Sequence, residues 1–596
     1  MSYQNYYSRL LDQIKAETED LLSRFSYRIE EVKANAESVM KIIRFLDEEK
    51  ALSEALKYFG PGEHRAFGVD GSMDQDERLE TLIFYVNAAA YSCPFYVSEK
   101  EVKVEVRKAQ KVDKLSAYAA VPLWLEDLTD LYGPEAAELD LDFQASIEKI
   151  PYSMMTIAEL WTAYKILKEN KNSLVFLDRP LSGTFATSLK DLRQLLSAEP
   201  MLTSLSGEKG SPSKLDLALA SVLGSGSAPV PKRFPYATYI AVKELIEKDE
   251  ATFNELAEAA GVKGKESQLK NSLINLNKRY GDQLLEGLVG QSVRIKQEVK
   301  GYWDRVKGAV EAFAKRAFEG NEHPLKVGED KLLTAYDLSA INVYLLYMIY
   351  DEARKNKNLV VGITKDTTAS EFSRSVIPFY LGEEKIFKLK NDKSLLTILS
   401  AVHYSMIKTP WRTLSYDYGF SYLAKAEKGF VAAKKSIGRT GLFVKSYFQL
   451  RTFAKDPMLR SPVFAYDRFF DEAYDSGREV EVKVSVKGKE KEVRVYFERE
   501  ENPLDNMILK LLSISDNPEV LEAYGHNQLL FLADKAVKHE VSLIKSSIRK
   551  IADFKLESFA RREKIFMISR RFRDIRSESE RMRQESAKGV EGYESV

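Results

Sequence analysis

Cysteine is almost missing from this chain: Cys93 stands alone among 596 residues. No disulfide framework and no thiolate zinc site can form within it, and that scarcity points to the cytoplasm. Histidine is nearly as scarce. The five, His64, His323, His403, His526 and His539, include no His-x₃₋₅-His pair that would suggest zinc. No apolar run is long enough to cross a bilayer. The longest, INVYLLYMIY at 341–350, falls well short of the roughly 20 residues a span needs and reads as a buried helix. The beginning, MSYQNYYSRLLDQIKAETED, lacks the apolar core of a secretory signal. Net charge is absent too, since 89 basic side chains balance 89 acidic ones. Any argument for a nucleic-acid partner must therefore come from local patches. Missing also are a GxxxxGK[ST] phosphate loop, which excludes ATP hydrolysis of that kind, and a G-x-S-x-G nucleophile elbow.

What remains is an ordinary globular composition, 44% apolar and 30% charged, long enough for several domains. Residues 1–60 read as a helical arm, with Leu10, Leu11, Ile14, Leu21, Leu22, Phe25, Ile29, Val32 and Val39 at three- and four-residue steps. Charges of both signs line its outer face, which suits a packing or dimerising element. Residues 61–184 follow as a β-rich half. RAFGVD at 65–70 reads as a short strand, LETLIFYVNAAAYS and EVKVEVRKAQKV as further β-segments, 154–169 as a helix, and KNSLVFLD at 171–178 as a strand ending in aspartate.

Residues 185–330 have the look of an inserted module. GEKGSPSK and GSGSAPVPKRFP are linker-like, and the mostly helical pattern between 237 and 279 has the spacing of a helix-turn-helix. Such units bind DNA, bind protein or act as spacers. For a DNA role the phosphate contacts would be Lys263, Lys265, Lys270, Lys278 and Arg279. The core resumes over 331–540, with a helix at 335–355, strands in NLVVGITKD and SPVFAYD, and a hairpin turning near Lys487 and Gly488. The last segment, 541–596, is a basic helical tail that includes Arg561, Arg562, Arg570, Arg571 and Arg573.

Chemistry enters with the carboxylates. Asp70 and Asp178 each follow a run of apolar or small residues, so a strand would deliver each one rigidly to the edge of a sheet. Taken singly, Asp-Gly after a strand is commonly only a turn. Side by side, the two cannot both ionise without a cation, and Mn²⁺ or Mg²⁺ favours such oxygen ligands. Paired ions of this kind can activate water against a phosphodiester. Strand with Asp, two more strands, a helix with Glu159, then a strand ending in Asp178 is the layout of an α/β, ribonuclease-H-like mixed-sheet core. Glu159 can serve as a third carboxylate or simply face solvent.

The chain resembles the NurA nucleases, DNA-end-processing enzymes that work with the hexameric ATPase HerA. The resemblance rests on AFGVDGS at 66–72, AELW at 158–161, LVFLDRPLSG at 174–183, VVGITKD at 360–366, LRSPVFAYDR at 459–468 and GHNQLLFLADKA at 525–536. It implies metal-binding roles for Asp70, Glu159 and Asp178. Lys365 matches a basic residue of the family, suited to neutralising the scissile phosphate. The last motif departs from the family pattern: His526 stands where tyrosine is usual, and Asp534 where histidine is usual. Asp534 would be a fourth carboxylate ligand. His526 would be a general acid or base, a phosphate contact or a helix-entry residue. Arg179 replaces a common glycine and would hold a phosphate of the DNA.

The resemblance thus implies a nuclease binding two Mn²⁺ (or Mg²⁺) ions, exonucleolytic and also endonucleolytic on single strands. It would work as a homodimer beside a HerA-type ATPase in end resection and double-strand-break repair. The alternative is a DNA-binding adaptor that kept the fold and lost the chemistry.

Overall fold

Four apolar residues in a row, Leu174 to Leu177, form a strand that is buried on both faces, as expected of a parallel strand covered on either side. Its alternation divides it between two layers: Val175 and Leu177 enter one apolar cluster, Leu174 and Phe176 another. The computed structural model describes residues 3–34, 40–78, 81–124, 143–289, 292–328, 331–365, 367–382, 391–422, 424–426, 429–431, 439–453, 455–486 and 489–560.

The Leu174–Leu177 strand sits inside a large mixed sheet. On one side it pairs in parallel with Gly62–Arg78, which pairs antiparallel with Thr81–Val97, whose next neighbours are Val102–Val104 and Ala117–Trp124. On the other side lies Leu359–Thr364, again parallel, then Phe464–Phe469, Phe443–Gln449, Trp411–Thr413 and Ile43–Phe45, all antiparallel. One face carries the helices Phe143–Glu169, Leu181–Leu195 and Ala335–Lys355; the other carries Glu48–Phe59, Pro503–Ile514 and Gln528–Ala560. Ala335–Lys355 starts at a reciprocal Thr334–Asp337 capping box. It is buried on nearly every side, and most of its residues are apolar.

Several sequence expectations change here. Asp70 does not end its strand. Gly62–Arg78 runs on past it for eight residues, held by the ladder to Thr81–Val97, and it is the parallel neighbour that stops at this level. The arm proposed for 1–60 is not wholly helical, since Ile43–Phe45 is an edge strand of the main sheet. The 184/185 boundary falls inside the Leu181–Leu195 helix, and the 540/541 boundary inside Gln528–Ala560. The basic residues from Arg561 onward lie outside the described residues, as do Lys487 and Gly488. The strands Glu479–Val486 and Lys489–Tyr496 nevertheless pair in register up to that turn.

The 185–330 module is fused to the core rather than strung beside it. Tyr344 and Tyr347 of the central helix donate to the carbonyls of Leu217 (2.9 Å) and Ser221 (3.3 Å), and the two regions share one apolar cluster. Helices Phe234–Lys248, Phe253–Ala259 and Glu266–Arg279 are joined by a three-stranded sheet of Glu250–Thr252, Ser292–Ile295 and Leu285–Val289. The helix-turn-helix reading therefore gains a β-wing. Its strands are short, which left them without a period-2 signal.

Candidate active site

Side chains alternate along Gly62–Arg78. Phe67 and Val69 face the Phe143–Glu169 helix, while Ala66 faces the opposite layer, so Asp70 faces that opposite layer too. The helix beginning at Gln528 crosses this face closely: a Cβ on Gly68 would meet Leu529 Cβ at 2.5 Å. Only glycine admits that approach, and through it the helix brings its first turns over the strand ends.

Asp178 follows directly on its strand, and its N–H donates to the Val69 carbonyl (3.1 Å). Asp70 and Asp178 are thus held at the same level of adjacent strands. Asp70 is only 6% exposed; its Oδ1 accepts from Gly71 N–H (2.7 Å), while the buried Oδ2 has no donor. Burial, then the neighbouring charges of Asp178 and Glu159, push the Asp70 carboxyl up to about 10. Lys365, at the end of the next parallel strand, pairs with Asp178. Burial works against the ammonium, but Asp178 and Asp70 outweigh it and raise the Lys365 pKa.

His526 and Asp534 share this surroundings through their charges. His526 is buried, packed on Phe464 at 5.3 Å between ring centroids, and both its ring nitrogens are without a hydrogen-bond partner. Burial and then the Lys365 charge lower its pKa to about 4, so the imidazole is neutral at pH 7. Asp534 is partly exposed and pairs with Lys538 on its own helix (2.8 Å).

Glu159 comes to the same place from the other side of the sheet. A Cβ on Gly71 would lie 2.5 Å from Glu159 Oε1, so this glycine too is required by a close approach. The carboxylate is engaged by Arg179 Nε, and both side chains are almost wholly buried. Arg179 also lies within 3.4 Å of Thr184 Oγ1 and 5.9 Å from the Tyr152 ring centroid. Burial pushes Glu159 upward, against the pull of Arg179.

One sequence expectation is corrected by this geometry. Arg179 is 4% exposed and turned to Glu159, so it is a buried counter-charge and not a phosphate contact at the surface. Among the described residues no group of three or more His, Cys, Asp or Glu is arranged to hold a metal ion; Glu159 is paired with Arg179 and Asp534 with Lys538. What fits a hard divalent cation is the Asp70–Asp178 pair: crowded buried oxygens, one without a donor, beside the lone pair of a neutral histidine. The role of Arg179 could have been suspected from its place after a strand-end aspartate, but its partner lies 20 residues earlier on a helix.

No curated protein matches the chain. Among solved structures it is similar to the NurA nuclease from Sulfolobus solfataricus, at 10% identity over 94% of this chain and 98% of that one, TM-score 0.36. It is also similar to NurA with manganese (14% identity, 91% and 98% covered, TM-score 0.36) and to NurA bound to dAMP and manganese (13%, 79% and 88%, TM-score 0.30). The family model described as the NurA domain matches residues 64–538, which hold every site residue above. The chain belongs to the NurA family.

Proposed function

We propose that this chain is a metal-dependent nuclease acting on DNA, with Asp70 and Asp178 as the metal-holding pair. The observation that carries the reading is Asp70 itself, a buried carboxyl set against a second one with no donor on its free oxygen. The family membership supports the activity. The strand order, with Ala117–Trp124, Thr81–Val97 and Gly62–Arg78 antiparallel and then two parallel strands, supports a ribonuclease-H-like core.

Asp70 and Asp178 would hold a Mn²⁺ or Mg²⁺ ion, whose positive charge would stabilise the oxygens of the attacked phosphate. The chain's own groups do the rest. The sheet holds the carboxylates at fixed separation, Lys365 pairs with Asp178, and neutral His526 has a lone pair able to take a proton. The second ion that the resemblance implies belongs to the same proposal. Exonucleolytic and single-strand endonucleolytic action, and a place in double-strand-break end resection beside a HerA-type ATPase, belong to the same proposal. So does DNA or partner contact by the winged module. Among the described residues no helix is long and apolar enough to cross a membrane.

A homodimer is supported by the Tyr3–Ala34 helix, on which Leu11, Ile14, Leu21, Leu22 and Phe25 are all exposed. Apolar residues at this spacing make a seam that wants a partner. Leu22→Asp with Phe25→Asp is expected to halve the mass measured by light scattering, and an unchanged mass would remove the helix from the interface.

The adaptor reading is favoured by one observation, the masking of Glu159 by Arg179. Incubation of linear DNA with the full chain separates the two. Degradation with Mn²⁺ but not with EDTA is the expected result, and intact DNA under both conditions overturns the nuclease reading.

A further inference from the structure

At the same strand ends, on the face that carries the Leu181–Leu195 helix, the surface opens into a cavity of about 640 Å³, within the ~300–1,000 Å³ typical of ligand sites. Pro180 and Thr364 line it, so it begins two residues from Asp178 and one from Lys365. Its walls carry four cations: Lys190 and Arg193 from the Leu181–Leu195 helix, Lys445 from the Phe443–Gln449 strand, and Arg439. Among the described residues Lys190, Arg193 and Lys445 have no carboxylate in salt-bridge range. Ser182 and Thr364 line the same space.

Two acids also line it and offset only part of the positive charge; Asp467 lies across the strand pair from Lys445. Asp467 is consumed by the start of the Leu181–Leu195 helix, accepting from Leu181 N–H (3.0 Å), Ser182 N–H (2.7 Å) and Ser182 Oγ (2.5 Å). Glu371 is a single carboxylate against four cations.

Arg439 is the unusual member. Its guanidinium is 1% exposed, yet it makes one hydrogen bond, from Nη2 to the Pro229 carbonyl (2.6 Å), while Nε and Nη1 are buried without acceptors. The rings of Tyr347 (5.3 Å) and Phe185 (6.0 Å) offset part of its desolvation. A buried, uncompensated guanidinium is costly to folding, and polar groups left so are the exception in native structures. The cost is rational if an anion arrives to use the charge.

We propose that this cavity binds phosphate groups of the nucleic-acid strand that is cut at Asp70 and Asp178 on the other face of the same strand ends, with Lys190, Arg193 and Lys445 contacting the phosphate oxygens and Arg439 supplying positive potential beneath them. The site rests on the nuclease reading for its substrate, but it is measured without cleavage. Its phosphate comes either from within the strand or from a phosphorylated end.

The test is fluorescence anisotropy of the full chain in EDTA with a single-stranded 12-mer, labelled at the 3′ end and carrying either a 5′-phosphate or a 5′-hydroxyl. Lys190→Gln, Arg193→Gln and Lys445→Gln combined is expected to weaken binding by roughly 10-fold or more at 0.1 M salt. The log–log salt slope should fall by about 2, since each phosphate contact on a single strand contributes about 0.7. A wild-type preference for the 5′-phosphate that the triple variant loses assigns the cavity to a strand end. Equal binding of both oligonucleotides, still weakened in the variant, assigns it to internal phosphates. Wild-type affinity and slope in the triple variant overturn the proposal.

Arg439→Met keeps the test independent of folding. It should weaken the same binding with no fall in melting temperature, whereas a merely structural arginine would lose stability. Because no metal is present, a chain that binds through the cavity yet leaves DNA intact with Mn²⁺ loses the nuclease reading and keeps this one.

Discussion

Asp70→Ala removes Mn²⁺-dependent DNA degradation, by about 10³-fold or more, the upper range for deleting one electrostatic group at a reacting centre. The same substitution leaves the metal-free protein as stable as wild type or more so. Both effects have one origin. In the wild-type fold Asp70 is buried against Asp178 and near Glu159, with a pKa pushed up to about 10, against about 3.9 when unfolded. Its contribution to stability is fully present below the unfolded value and is lost as pH rises toward the folded one, because the unfolded chain gives up its proton first. Metal-free wild type should therefore lose stability between about pH 4 and pH 10 more steeply than Asp70→Ala. Binding of Mn²⁺ should release a proton. Calorimetry in buffers of different ionisation enthalpy reads that proton directly, and thermal melts across pH read the stability. A variant that retains nuclease activity would remove Asp70 from the site.

Arg468→Met is expected to destabilise the fold by about 3–5 kcal/mol, the cost of stranding buried charges. The guanidinium is 1% exposed and bridges two carboxylates that are wholly buried. It donates to Asp505 through Nε (2.8 Å) and Nη2 (2.9 Å), and to Asp475 through Nη1 (2.7 Å) and Nη2 (2.9 Å). Burial alone would raise Asp505, yet Arg468 holds it down to about 2. The network ties the Pro503–Ile514 helix and the turn at Asp475 to the Phe464–Phe469 strand, whose other residue, Asp467, caps the helix after Arg179. Urea unfolding measures the loss. Adding Asp475→Asn and Asp505→Asn to the variant should restore much of it, since the stranded carboxylates carry the penalty; no recovery would place the penalty in packing instead.

Much of the site was legible in the chain. LVFL before Asp178 could only be a buried strand, and VVGIT before Lys365 another. The two strands are parallel neighbours and deliver both side chains to one edge. Asp70 was legible as a strand aspartate but not as a mid-strand one, because Gly71 and Ser72 mimic a turn that the ladder to Thr81–Val97 overrides. Glu159 was legible as a helix residue on an apolar face. Its partner Arg179 was not, since the pair forms across the gap where one strand stops and its neighbour continues. In SPVFAYDR the strand could be read, but the tasks of Asp467 and Arg468 could not.

By itself, then, the sequence determined the main buried strands, the long helices and the family, because apolar periodicity and short motifs are local and survive being read one residue at a time. Tertiary structure alone decided which charges meet. The partners of Asp467 lie 285 and 286 residues away, and the cations of the phosphate cavity come from a helix, a strand and a loop spread over residues 190–445. Such encounters follow from strand order and from which face of the sheet each residue is turned to, and no local pattern in the chain encodes either.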